Sequence, residues 1–382
     1  MPFLKKLIKG NLVFDSSTNI IDITLTSAVD SAKTFVDIRA FVIVSEGTVP
    51  MTHFGNYGFV HEFLNSTTLR IKRFFGGGGD TYEMNVRYYV LELYEGTVQR
   101  GVVQQTSDVQ DIILPIDVDH TKTFSIASWY SEYTGWTGRF DEQVFFHNIF
   151  DDSGTTKLKV RSNLSMASPT HQIYWQAITL PNATVLNSVH SVSNATALTD
   201  ITVPFYDRSE HFMYSSALYV DGSIGSPDTR HLKWIKPIND TTLSTQGNVG
   251  FACPYISVYR IMPQVGDIEN IRHQDEVMTI TETFIDKNMG GAGRPVTDTF
   301  MIIGGPYNTF GAATIAATNS FNNIGIRSEQ IDANTNRFNR GQGDSEMLFA
   351  FEHVTCTIED LEENNRYGRF PTGFTRGFAR GF

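Results

Sequence analysis

The chain repeats itself with its spacing intact. Asp22-Ile23-x-Leu25-x3-Val29-Asp30-x2-Lys33-Thr34-Phe35 returns 89 residues later as Asp111-Ile112-x-Leu114-x3-Val118-Asp119-x2-Lys122-Thr123-Phe124. Eight identities in an ungapped frame of fourteen residues mark an array of related modules, each burying its apolar face against its neighbours. Function therefore has to be argued from a repeated scaffold before any single cleft is considered.

The period continues past that frame. Thr67-Thr68-Leu69-Arg70-Ile71 meets Thr155-Thr156-Lys157-Leu158-Lys159-Val160, with Leu69 and Leu158 again 89 apart, and residues 86–93 correspond to residues 173–180 with the spacing slipped by two. A slip between elements is what a hairpin of variable length produces. A third copy follows in Asp200-Ile201-Thr202-Val203, Asp207-x2-Glu210-His211-Phe212, Leu232-Lys233-Trp234-Ile235 and Tyr255-Ile256-Ser257-Val258-Tyr259. A fourth is fainter: Met278-Thr279-Ile280, Asp298-Thr299-Phe300, Ile324-Gly325-Ile326-Arg327 and the alternating Met347-x-Phe349-x-Phe351.

A chain of 382 residues exceeds one core, and three or four domains suit both length and period. Segments between turns are short and rich in Val, Ile, Thr and aromatics, with Ile23 and Leu25, Leu69 and Ile71, and Val86, Tyr88 and Val90 at two-residue intervals. That period buries one face of a strand and wets the other. The fold class expected is all-β, a tandem repeat of small antiparallel β-sandwich modules with extended terminal arms. The expected boundaries are an N-terminal arm at 1–11, modules at 12–98, 99–193, 194–270 and 271–360, and an Arg/Gly/Phe-rich arm at 361–382. Gly76-Gly77-Gly78-Gly79-Asp80 and Asp151-Asp152-Ser153-Gly154 supply turn chemistry between strands.

Cys253 and Cys356 fall in different modules, so stability must come from cores and interfaces and not from a disulfide framework. The opening Met1-Pro2-Phe3-Leu4-Lys5-Lys6-Leu7-Ile8-Lys9 lacks the apolar stretch of a signal peptide, and no segment has the length of a membrane-spanning helix. Synthesis in a cytoplasm is expected. Asn-x-Ser/Thr triplets at Asn65, Asn163, Asn182, Asn194 and Asn239 then read as chance in a Thr- and Asn-rich chain.

Charge is uneven. The net charge is −11, yet Lys5, Lys6 and Lys9 open the chain and Arg366, Arg369, Arg376 and Arg380 close it, leaving the body about seven charges more negative. Cationic ends on an acidic body suit docking on neighbouring copies, whereas the body repels nucleic acid. The tail reads as an assembly arm, with Phe370, Phe374, Phe378 and Phe382 interleaved among its arginines.

Chemistry is sparse. The ten histidines form no His-x-x-x-His spacing and the cysteines no close pair, so neither a metal nor a cofactor is expected. Gly222-Ser223-Ile224-Gly225 is a broken nucleophile motif, and the four-glycine run lacks the lysine and helix of a phosphate loop. One cluster has binding chemistry: Trp129, Tyr130, Tyr133 and Trp136, whose rings could stack on a sugar or else fill a core.

The order Val98-Gln99-Arg100-Gly101, Ile112-x-Leu114, Val118-Asp119-x2-Lys122-Thr123-Phe124, Thr-x-Leu-x-Val and an alternating aromatic strand resembles a repeated β-module of tailed-bacteriophage structural proteins, and is distantly similar to the H-type lectin domain. The resemblance implies a virion component without enzymatic activity: a capsid decoration, collar, tail or fibre protein. Its implied partners are copies of itself and other virion proteins, without nucleic acid or membrane insertion. A glycan-binding adhesin is the alternative, followed by a polysaccharide depolymerase using a folded carboxylate pair.

Overall fold

The computed structural model describes residues 2–43 except 16, 59–73, 83–131 except 106 and 108, 145–162, 171–192, 199–218, 233–247, 253–264, 268–278, 284–288, 299–308, 327–330, 335–339, 347–356 and 358–364. Within them the fold is all-β, built from small three-stranded antiparallel sheets in repeated pairs. None of these residues forms a helix long and apolar enough to cross a membrane.

Module 1 comprises β1 (Leu4–Phe14), β2 (Ile20–Thr24), β3 (Thr34–Ile43), β4 (Phe59–Asn65), β5 (Thr68–Arg73) and β6 (Glu83–Leu93). β6 lies between β1 and β3 in one sheet, and β5 between β2 and β4 in the other. Module 2 repeats this with β7 (Thr97–Gln105), β8 (Val109–Ile113), β9 (Thr123–Ser131), β10 (Phe145–Asp152), β11 (Thr155–Ser162) and β12 (His171–Thr179), in orders β7-β12-β9 and β10-β11-β8. Module 3 comprises β13 (Thr184–Val192), β14 (Thr199–Thr202), β15 (Phe212–Leu218), β16 (Lys233–Asn239), β17 (Thr242–Gly247) and β18 (Cys253–Met262), ordered β13-β18-β15 and β14-β17-β16. Module 4 comprises β19 (Ile268–Met278), β20 (Phe284–Asn288), β21 (Thr299–Asn308), β22 (Arg327–Gln330), β23 (Thr335–Asn339) and β24 (Met347–Cys356), ordered β19-β24-β21 and β20-β23-β22. A last strand, β25 (Ile358–Asn364), runs parallel to β1 on its outer edge.

Each module is a sandwich because its strands alternate. In β5, Leu69, Ile71 and Arg73 turn inward while Thr68, Arg70 and Lys72 turn out. The inward set meets Ile8, Phe14, Ile23, Val86 and Tyr88 in the core of module 1, and Ile201, Ile235, Leu243, Ile256 and Val258 fill module 3 in the same way. Hairpin chemistry fixes register. Ser153 (φ 56°) and Gly154 (φ 89°) form a two-residue turn between paired Asp152 and Thr155, the left-handed pair that matches strand twist. At the matching hairpins of modules 1 and 3, Asn65 Oδ1 accepts from Thr67 N at 2.9 Å and Asn239 Oδ1 from Thr241 N at 2.9 Å. Two of the Asn-x-Thr triplets are thus turn formers, since an Asn side chain can stand in for a backbone turn acceptor.

The modules close into a circle. The fourth strand of each lies against the next module: β4 on β9, β10 on β15 and β18, β16 on β21 and β24, and β22 on β3 and β6. One core runs through all four and includes Leu7 and Phe35, Phe124 and Ile178, Phe212 and Ile261, and Ile302 and Val354. The intermodule links converge as well, for Pro2, Glu95, Pro181, Asn182, Pro263 and Gln264 line one small pit. Gly96 in the first link has φ 132°, and a Cβ there would lie 2.6 Å from the Thr179 carbonyl oxygen.

Strand limits place the modules at 4–93, 97–179, 184–262 and 268–356, so each begins earlier than its repeated motif suggests. The first strand of a module carries no shared motif. For the same reason the expected arm at 1–11 is largely β1, whose Lys6 and Lys9 are buried. In module 3 the counterpart of Leu69 is Leu243 in β17, and Leu232-Lys233-Trp234-Ile235 runs into the fourth strand. In module 4 the counterpart of Asp22 is Asp286, paired with Arg337 as Asp22 is with Arg70. Thr299-Phe300 and Met347-x-Phe349-x-Phe351 begin or fill the strands expected of them.

Candidate functional site

The repeated motif builds a turn first. Asp30 Oδ1 accepts from Ala32 N at 3.0 Å, Asp119 Oδ1 from Thr121 N at 2.8 Å and Asp207 Oδ1 from Ser209 N at 2.8 Å. Hydrogen bonds from Thr121 and Ser209 hold the Asp119 and Asp207 carboxyls below the usual carboxylate range. Thr34 Oγ1 and Thr123 Oγ1 then donate to the Asp30 and Asp119 carbonyls at 2.6 and 2.8 Å, and His211 Nδ1 replaces the threonine by donating to the Asp207 carbonyl at 2.7 Å. The lysine position ties the turn to the sixth strand, because the Lys33 and Lys122 carbonyls accept from Leu93 N and Leu180 N at 3.0 and 2.9 Å.

That turn delivers the motif phenylalanine to the centre of the circle. The Phe35 and Phe124 centroids are 6.0 Å apart edge to face, those of Phe124 and Phe212 are 6.3 Å apart edge to face, and Phe3 stands 6.0 Å from Phe212. Tyr214 stacks on Phe124 at 5.4 Å. The motif phenylalanines are therefore spent joining modules.

Polar groups fasten the first two joints. Between modules 1 and 2, Gln176 Oε1 accepts from Val36 N at 3.0 Å and Gln176 Nε2 donates to the Val36 carbonyl at 2.8 Å. Arg100 donates to the Ser31 carbonyl at 2.7 Å and to the Thr34 carbonyl, and burial lowers its guanidinium to about 10. His61 sits in the same joint, where desolvation and then the Arg100 charge hold its imidazole at about 3.

Between modules 2 and 3 the same positions recur with other residues. Tyr259 stands on β18 where Gln176 stands on β12, opposite Asn187 as Gln176 is opposite Arg100. Its hydroxyl accepts from Ile149 N at 2.6 Å and lies 2.9 Å from Ser125 Oγ, which is 2.8 Å from His147 Nδ1. Asn187 Nδ2 donates to the Ile149 carbonyl at 2.6 Å, and Ser216 Oγ both accepts from His147 N at 3.1 Å and donates to the His147 carbonyl at 3.0 Å. Burial holds the His147 imidazole at about 4 and pushes the Tyr259 phenol up. Ser125 and His147 have the separation of a nucleophile and its base, but Ser125 has no exposed surface and shares its hydroxyl with Tyr259. The pair is positioned to hold a joint.

No protein-family model and no curated protein matches the chain.

Of the residues expected to bind sugar, Trp129 and Tyr130 belong by backbone to β9, paired with Ile173 and Gln172. Tyr133 and Trp136 lie outside the described residues, as do Arg366, Arg369, Phe370, Phe374, Arg376, Phe378, Arg380 and Phe382, the four-glycine run and Gly222-Ser223-Ile224-Gly225. Gln176 and Tyr259, and likewise Arg100 and Asn187, fill equivalent positions with unlike side chains, so the repeat does not single them out. The pair His61 and His147 was the available signal: the two occupy one register position, opposite Ile71 and Val160.

Proposed function

We propose that this chain is a non-enzymatic structural protein of a bacteriophage virion, a capsid decoration, collar, tail or fibre component that assembles through its β-sandwich faces. The observation carrying this reading is the destination of the repeated residues. Asp, Lys, Thr and Phe of the motif are consumed by a turn and by the aromatic chain from Phe35 through Phe124 to Phe212. Intermodule cores of this kind make one stiff body from four small sandwiches, which suits a load-bearing part. The resemblance to phage β-modules points the same way.

Particles prepared with and without the protein, tagged at Met1 and examined by electron microscopy and mass spectrometry, test the reading. A fixed copy number at one location on the particle is expected. Absence from particles sinks it. Glycan binding that is lost in Trp129→Ala with Trp136→Ala, at unchanged melting temperature, would instead favour the adhesin.

A further inference from the structure

The circle has one seam that the chain does not bridge in sequence. Modules 1 to 2, 2 to 3 and 3 to 4 are joined by links of a few residues, between Leu93 and Thr97, Thr179 and Thr184, and Met262 and Ile268. Among the described residues, module 4 meets module 1 through β22 against β3 and β6 and through β25 lying parallel along β1. β25 follows β24 after one residue, at the point along the chain where each earlier module passes to the first strand of the next. Because β1 already fills the first-strand place of the module that follows module 4, β25 adds to its edge.

Charge suits the pairing. β25 reads Ile-Glu-Asp-Leu-Glu-Glu-Asn, and its register sets Asp360 beside Lys6 and Glu363 beside Lys9, with Ile358 and Leu361 beside Leu4 and Leu7. The module 4 surface that meets module 1 belongs to the same series as the three linked joints, so it is head-to-tail in character. Such an interface closes into a ring within one chain or runs on into the next.

We propose that the outer edge of β1 is an exchangeable strand site whose second occupant is β25 of another copy, so that rings open at this seam and join head to tail. The exchange forms no new type of contact. It replaces an intramolecular pair by the same pair between chains, and concentration during folding selects the outcome. This goes beyond the proposed virion role and stands or falls apart from it.

The test refolds a 1:1 mixture of isotopically light and heavy full-length chains from denaturant at low and at high concentration, followed by light scattering and native mass spectrometry. Monomers at low concentration and mixed-isotope dimers at high concentration are expected, with a several-fold rise in the dimer fraction. Lys9→Glu and Glu363→Lys are then refolded singly and together. Dimers should be depleted in each variant alone and restored in the mixture, where each altered strand meets its complement in the other copy. Monomers at every concentration in the unmodified chain overturn the proposal, and this holds even if a variant fails to fold. Equal dimer yields from single and mixed variants overturn it too.

Discussion

Gln176 grips the peptide of Val36 from the neighbouring module, accepting from its amide at 3.0 Å and donating to its carbonyl at 2.8 Å. Val36 lies on β3, which among the described strands pairs with β6 alone, so the side chain of Gln176 caps a stretch of strand edge. Both groups are buried, and Gln176 is 3 % exposed. Gln176→Leu leaves an amide and a carbonyl without these partners inside the joint, at about 1–3 kcal/mol for such groups. Urea denaturation should show that loss, and a change within about 0.5 kcal/mol would mean water or another group satisfies Val36.

Phe124 touches four other rings, Phe35 of module 1 and Phe212, Tyr214 and Tyr259 of module 3. Truncation to alanine removes a wholly buried side chain and opens a void between modules, costing about 3–5 kcal/mol. The exposed pair Asp22–Arg70 offers the contrast. It is bidentate at 2.6 and 2.8 Å, but it faces water, and Asp22→Asn should change the unfolding midpoint little. The two substitutions measured side by side separate joint from surface.

Acid should loosen the second joint. Burial keeps His147 neutral in the native state, holding its pKa at about 4 against 6.5 for a free imidazole, so unfolding takes up a proton. Stability from this residue is complete above pH 6.5 and declines as pH falls toward 4. At pH 5 the loss is about 2 kcal/mol. His61, held at about 3, adds a loss of the same sign in the first joint. Unfolding midpoints between pH 7.5 and 5 should fall in the native protein and fall less in His147→Gln. Parallel slopes would remove His147 from the account.

The motif aspartates should contribute modestly. Asp119 caps the turn at His120–Lys122 by accepting from Thr121 N, and loss of such a cap typically costs about 1 kcal/mol. Asp119→Asn keeps the acceptor and should retain most of that. Calorimetry of Asp119→Ala and Asp119→Asn checks the difference.

The sequence exposed the modules through their constant parts. Asp30, Ile23, Phe35 and Leu69 occupy turn and core positions that modules 1 to 3 fill alike, with Asp119, Ile112, Phe124 and Leu158 in module 2 and Asp207, Ile201, Phe212 and Leu243 in module 3. First strands such as β1 and β7 escaped because they need only strand-forming residues with an apolar face, which many sequences supply. The joints escaped for a sharper reason. Gln176 and Tyr259 solve one problem with unlike side chains, since each must match the partner opposite: a strand edge at Val36, a hydroxyl and an amide at Ser125 and Ile149. Closure of the circle was illegible too, because contact between β22 and module 1 links segments far apart in the chain.

That closure is what makes one body of the four modules. Small-angle scattering of the full chain in dilute neutral buffer measures it. Four modules closed on one core predict a compact particle with a radius of gyration of about 21 Å, the value for a single body of this length. A distance distribution with a long tail and the dimensions of four modules in a row would contradict it.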